Sequence, residues 1–549
     1  MKTILRYSKI ALLLGGLFLS SCEGDFDEIN TNPNALTEGS SEALFSQALW
    51  NFAFNDFDVW YGGRSSMVAA QQWCQRNYTS EDRYAFRSNV NDGIFRNNYI
   101  WLNNLQRIIE LNKDDKTKAM QAALYGDNRM QIACCELVKV WVFQLLTDTY
   151  GDVPYTQALS LMKYPQPKYD SQKSIYDDLI KVVGAQASVL EALIDEGISG
   201  YANGDLFYKG DLNKWYKFAN SLQLRLALRA AGNTVRSTGN LDPAYLQIAK
   251  NAIGRGVFTS NMDNAQVLFS SVGVPNEAPM YNGFYTGRRN DFTMAAGLVK
   301  LVKGLSDANY GFVNPFEGFL DPRWKIFRGP YYASIPPLDS KDRVGMPYGM
   351  PDAKTQGFRT NLLSYSFAIP AAQAAKVIRQ DFPSTFLDYP TVCFMISEVN
   401  NWDAAYFEKG ILASVQQWGA DTTGMANAYL KPIMAKFTAA SAAMKKEMVF
   451  TQKYIHLYMQ AYEAWAEYRR SGYPRSLVKP GQTTAVISGS PVIFNPISGN
   501  ESGSDVIARF KYPTSEFTLN ADNVAAAIAA QGGENSHAVR MWWAGGGKQ

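Results

Sequence analysis

In stretch after stretch of this chain the apolar residues return every third or fourth position, a spacing that one regular structure satisfies: a helix with one buried face. Trp101, Leu105, Ile108 and Ile109 follow it, as do Ile132, Cys135, Val138, Val142 and Leu145. Ile175, Leu179 and Val182 repeat it, with Asp170 placed to cap the helix. Asp211 stands in the same place before Trp215, Phe218, Leu222 and Leu226. Two more stripes run through Phe407, Ile411, Val415 and Trp418, and through Tyr454, Tyr458, Ala461, Trp465 and Tyr468. The expectation is a mainly α protein with at least about eight helices. Short loops between paired helices suggest tetratricopeptide-like hairpins, although no clean period of about 34 residues is present, and an irregular bundle is the alternative.

Residues 257–399 are different. Gly, Pro and aromatic residues crowd together in Val274-Pro275-Asn276-Glu277, Phe312-Val313-Asn314-Pro315-Phe316 and Tyr331-Tyr332-Ala333-Ser334-Ile335-Pro336-Pro337. This composition reads as long loop with minor β, laid over helical scaffold at 37–256 and 400–475, and such loops are where binding residues concentrate.

The N-terminus carries an address. Lys2, Arg6 and Lys9 precede the apolar run Ile10 to Leu19, which is shorter than the about 20 residues a membrane-crossing helix needs. Leu19-Ser20-Ser21-Cys22 then resembles a lipobox, so residues 1–21 read as a lipoprotein signal peptide and Cys22 as the lipidated residue. An ordinary secretory signal beside an incidental Cys is the alternative. Residues 22–36, acidic and turn-rich, read as a tether holding a single domain, 37–549, off the membrane. No later segment approaches a spanning length by this reading. Cys74, Cys134, Cys135 and Cys393 read as buried thiols, with a Cys74–Cys393 disulfide permitted by the compartment.

Charge excludes one class of partner. The chain has 53 Lys and Arg against 50 Asp and Glu, and the surplus lies wholly in the leader. A duplex binder needs excess cations, so nucleic acid is not expected.

Catalytic patterns are sparse. With only His456 and His537 and no HExxH, a His-rich metal site is not expected and a Ser-His-Asp triad has few ways to form. His456 sits in an aromatic stripe and reads as a core histidine. Glu463 and Glu467 lie one turn apart, as a glycosidase pair could, but Arg469 and Arg470 follow them and point to salt bridges. No cofactor motif occurs.

Several phrases together resemble the SusD/RagB family of surface nutrient-binding lipoproteins of Bacteroidetes. They are Thr147-Asp148-Thr149-Tyr150-Gly151-Asp152-Val153-Pro154-Tyr155, Tyr169 to Tyr176, and Gly210-Asp211-Leu212-Asn213-Lys214-Trp215 running on to Leu222. Later come Asp321-Pro322-Arg323, Glu463-Ala464-Trp465-Ala466-Glu467-Tyr468-Arg469-Arg470 continuing to Pro474, and Arg509-Phe510-Lys511-Tyr512-Pro513. The resemblance implies a SusD-like fold, with tetratricopeptide-like hairpins as scaffold and a loop-rich ligand-binding region. It implies a non-catalytic, outer-membrane lipoprotein facing the cell exterior, which captures oligosaccharides and passes them to a SusC-like TonB-dependent transporter. Peptide capture is the alternative ligand class, and a surface glycoside hydrolase or a protein-only adaptor stands behind it.

A sugar presents an apolar face and a rim of hydroxyls, so its binder needs aromatic platforms flanked by hydrogen-bonding side chains. Two stretches have that alternation. In Gln71 to Tyr78 the expected contacts are Trp73, Asn77 and Tyr78; in Tyr281 to Asp291 they are Tyr281, Asn282, Tyr285, Arg288 and Asp291. Arg288 and Arg289 could equally pair with Asp291 or hold the transporter.

Overall fold

A computed structural model describes residues 40–289, 291–328, 344–355, 376–497 and 503–546. The expected signal peptide, the expected lipidation site Cys22, the expected tether and the Tyr331 to Pro337 stretch lie outside the described residues.

Helix α1 (Ser41–Asn55) starts at Ser40, whose hydroxyl accepts the Ala43 N–H, and buries Phe45, Ala48, Leu49 and Phe52 along one face. Helices α2 (Ser88–Lys113), α3 (Asn128–Tyr150), α4 (Gln172–Asp195), α5 (Leu212–Ala230) and α6 (Pro243–Arg255) follow, each packed on its predecessor as the hairpin reading expects. Their lengths of 26, 23, 24, 19 and 13 residues differ, which explains why no fixed repeat shows in the sequence. Asp211 caps α5 as expected, accepting the N–H groups of Asn213 and Lys214. Asp170 does not cap α4. Ser171 does, while Asp170 takes the N–H groups of Tyr155 and Thr156 and closes the turn after α3. That turn is possible because Gly151, at φ 88°, ends α3 in a conformation open to glycine.

Contrary to the sequence reading, one helix among the described residues is long and apolar enough to cross a membrane: α3, with mean hydropathy 1.3. Its apolar window is 83% buried by its neighbours, and it serves as the core helix of the array.

The second helical group is α7 (Tyr389–Val399), α8 (Ala404–Gln417), α9 (Ala442–His456) and α10 (Ala461–Ser471). Helix α7 falls inside the stretch expected to be loop. It is buried almost all round, so its continuous apolar run shows no helical stripe. Phe394, Phe407, Ile411, Phe437, Met448 and Val449 form a core of their own here.

The expected stripe from Tyr454 to Tyr468 is two helices. Met459, at φ 70°, breaks it, and the buried Gln72 fills the gap by donating to the Leu457 carbonyl and accepting the Met459 N–H. All four described cysteines are buried free thiols, so no Cys74–Cys393 bond forms.

Strands are short and pair in antiparallel twos: β1 (Trp73–Gln75), β2 (Val153–Pro154), β3 (Tyr169–Asp170), β4 (Ala265–Val267), β5 (Phe292–Met294), β6 (Ser384–Leu387), β7 (Thr483–Ile487) and β8 (Ser490–Ile493). The pairs are β1 with β5, β2 with β3, β4 with β6, and β7 with β8.

Candidate functional site

The two stretches singled out in the sequence meet. Strand β1 pairs with β5, Trp73 opposite Met294 and Gln75 opposite Phe292, and the Arg76 N–H extends the ladder to the Asp291 carbonyl at 2.7 Å. Asn77 and Tyr78 therefore leave the ladder at the end where Arg288 and Arg289 enter it.

Within each stretch the roles differ from expectation. Trp73 is 1% exposed: its indole N–H donates to the Tyr458 hydroxyl at 2.9 Å and its ring packs against Phe284 and Phe292. It is core and presents no face to a ligand. Gln71, like Gln72, is buried and satisfies backbone, bonding Val478 in both directions. Asp291 is also buried, ion-paired with Arg64 at 3.1 Å, and so is not a free acceptor for sugar hydroxyls. Asn282 donates to Glu277 at 2.8 Å.

What does reach the surface is Tyr78, 65% exposed, with half-buried Asn77, Tyr281 and Tyr285 and exposed Arg288 and Arg289. The Tyr281 and Tyr285 rings lie 4.6 Å apart, one helical turn from each other. Tyr78 (φ 57°) and Arg288 (φ 52°) both hold left-handed backbone, which is unfavourable for non-glycine residues and concentrates at functional sites.

Sequence reasoning missed the part that joins these groups. After α1 the chain makes a single π-turn, Val59–Gly63, capped by Asp58, whose carboxylate accepts the Tyr61 N–H at 2.5 Å. A second π-turn, Asn282–Thr286, is held by the buried Glu277, which accepts from both Asn282 and Thr286. Such turns cluster at functional sites. The two touch: a Cβ on Gly283 would lie 2.5 Å from Val59.

The first turn carries Trp60, half-buried, with the Arg64 guanidinium 5.1 Å and the Arg289 guanidinium 5.4 Å from its ring centre. Arg64 is 2% exposed, paired with Glu81 and Asp291, and its pKa is lowered first by burial. The only sequence signal for this turn was the aromatic pair ahead of two glycines in Trp60-Tyr61-Gly62-Gly63-Arg64.

Beneath the turns lies a cavity of about 50 Å³, lined by Asp56, Trp141, Arg225, Arg229, Met280 and Tyr462 among others. It has room for a few waters. Asp56 accepts from Asn98 at 3.1 Å through one oxygen, while the other has no protein partner, and burial pushes its carboxyl up to about 7.

Two catalytic readings are answered by packing. Glu463 and Glu467 pair with Arg229, and Glu467 also with Lys453 at 2.8 Å and Arg470 at 2.8 Å, as the salt-bridge reading expects. A Ser-His-Asp chain does form, against expectation: Ser414 lies 2.8 Å from His456 Nδ1, and Asp388 lies 2.8 Å from His456 Nε2. All three are fully buried, and Arg323 donates to the Ser414 oxygen at 2.7 Å. The serine is thus engaged inside the core and closed to a substrate carbonyl. His456 is the satisfied core histidine that the aromatic stripe implied.

Residues 33–513 match the family model SusD-like_2, described as starch-binding and associating with the outer membrane. The chain belongs to the SusD-like family. Solved structures agree on the fold. A chitin-binding protein is 25% identical, with TM-score 0.65, the alignment covering 92% of this chain and 99% of that one. A chitin-binding SusD homologue from Flavobacterium johnsoniae is 20% identical, with TM-score 0.69, over 91% and 98%. A SusD homologue from Bacteroides uniformis is 21% identical, with TM-score 0.67, over 91% and 99%. No protein of curated function matches the sequence. The SusD-like fold and the mainly helical class expected from the sequence are therefore established, and the family is one of glycan-binding proteins associated with the outer membrane.

Proposed function

We propose that this SusD-like protein captures oligosaccharides at the cell surface on the aromatic group formed by Trp60, Tyr78, Tyr281 and Tyr285, without turning them over, and hands them to a SusC-like TonB-dependent transporter. Cys22 carries the lipid that holds it to the outer membrane, facing outward. The observation that supports this reading best is the junction of the two π-turns with the β1–β5 ladder, which gathers exposed or half-exposed rings and hydrogen-bonding side chains from three separate stretches. Rings supply stacking, while Asn77, Arg288 and Arg289 supply directional bonds to hydroxyls.

The test is calorimetry of the mature protein lacking Cys22 against a panel of oligosaccharides, chito-oligosaccharides included, and short peptides, with product analysis of the mixtures. Saturable glycan binding without cleavage is the expected result. Binding of peptides alone, or glycan cleavage, would sink it.

A further inference from the structure

Beyond residue 21 the chain has equal numbers of basic and acidic residues, yet the candidate site exposes two adjacent guanidiniums, Arg288 and Arg289. Three guanidiniums, those of Arg64, Arg87 and Arg289, share two carboxylates. Glu81 is shared by Arg64 at 3.3 Å and Arg87 at 2.7 Å. Asp291 is shared by Arg64 at 3.1 Å and, more loosely, by Arg289 at 3.8 Å. Arg288 is exposed and has no ion-pair partner among the described residues. Both carboxylates are almost wholly buried, at 1% and 11% side-chain exposure, whereas the Arg289 side chain is 46% exposed. Asp291 thus lies beneath the surface while the Arg289 and Arg288 guanidiniums reach it, Arg289 over the Trp60 ring. Asp352, exposed, accepts the Tyr78 N–H at 3.0 Å and is an acid at the edge of the same site.

We propose that Arg288 and Arg289 make this a site for acidic oligosaccharides, chains whose sugars carry a carboxylate or a sulfate. The inference rests on the glycan-capture reading and names its substrate class. A guanidinium offers two parallel N–H groups that match the two oxygens of a carboxylate or sulfate, and such charge-assisted bonds are stronger than those to a neutral hydroxyl. Arg288, with no ion-pair partner among the described residues, gives up none of the ion pairs described there on binding. Arg289 exchanges a long pair to Asp291 and a stack on Trp60 for a short pair to the ligand, which uncovers that indole for the sugar ring.

Calorimetry at low salt with three oligomers of equal length tests it: a neutral chito-oligosaccharide, an oligogalacturonate and a sulfated oligosaccharide. The expected result is an acidic oligomer held about tenfold or more tighter than the neutral one, because hydrogen bonds to a charged group are stronger than those to a neutral hydroxyl. Comparison of the uronate and sulfate arms shows which anion is taken. The preference should shrink in salt. In the R288Q/R289Q variant the ratio of acidic to neutral affinity should fall towards one, with the thermal midpoint unchanged. Equal or tighter binding of the neutral oligomer, or a ratio untouched in the variant, overturns the acidic preference and leaves glycan capture standing. Binding of none of the three overturns both.

Discussion

Asp148 and Arg229, 81 positions apart in the chain, meet at 2.5 Å with both side chains out of water. Around this contact the scaffold is knitted together. Asp148 also accepts from the Tyr176 hydroxyl at 2.6 Å and the Trp543 indole at 2.8 Å, while Arg229 reaches Glu463 and Glu467. One pair thus ties α3 to α4, α5, α10 and the C-terminal segment. Buried charges are costly to desolvate, and removing one partner strands the others.

Arg229→Ala should therefore cost about 3–5 kcal/mol of folding stability. Denaturant unfolding measures it, and a loss under about 1 kcal/mol would show that the network contributes little.

Trp60 and Trp73 should separate binding from folding. Trp60→Ala is expected to weaken glycan binding by about 2- to 12-fold with the unfolding midpoint nearly unchanged, since aromatic stacking contributes about 0.5–1.5 kcal/mol. Trp73→Ala removes a core ring and should cost about 3–5 kcal/mol of stability. Paired calorimetry and thermal melts decide, and wild-type binding by Trp60→Ala removes the platform.

Gly62 is required by close approach, since a Cβ there would lie 2.5 Å from the Asp56 carbonyl oxygen. Gly62→Ala should displace the Trp60 turn, costing about 1–3 kcal/mol of stability and weakening glycan binding as well. Unimpaired binding would separate the turn from the site.

Acid and base limbs of stability have different owners. Asp56 has a raised pKa, so the folded chain keeps a proton that the unfolded chain releases above about pH 4. Its contribution is full below that pH and drains away as pH rises towards about 7. Asp56→Asn should gain on the wild type by roughly 2 kcal/mol between pH 5 and pH 8. Asp388 behaves oppositely. Burial alone would raise it, but the charge and hydrogen bond of His456, with a bond from Gln460, hold it far below the usual range. Its contribution is present above about pH 4 and is lost in acid. Urea melts from pH 3 to 9 on wild type and Asp56→Asn check both limbs. A difference between the two proteins that does not change with pH would refute the assignment to Asp56.

The sequence by itself determined the helical scaffold, its cap at Asp211, and the family, because helix periodicity and capping are local and leave local patterns. It also pointed to the two stretches that meet as β1 and β5, since alternating rings and polar groups are visible in one dimension. Only the tertiary structure decided which of those rings face water. Trp73 and Tyr78 stand five positions apart in similar surroundings, yet one is sealed by Tyr458 and Phe284 and the other projects beyond the ladder. Burial depends on partners more than 200 positions away, and no local pattern encodes them. The same holds for Trp60, recruited by Arg289, for Asp291, turned inward by Arg64, and for Ser414, His456 and Asp388, aligned as a triad where no substrate can come.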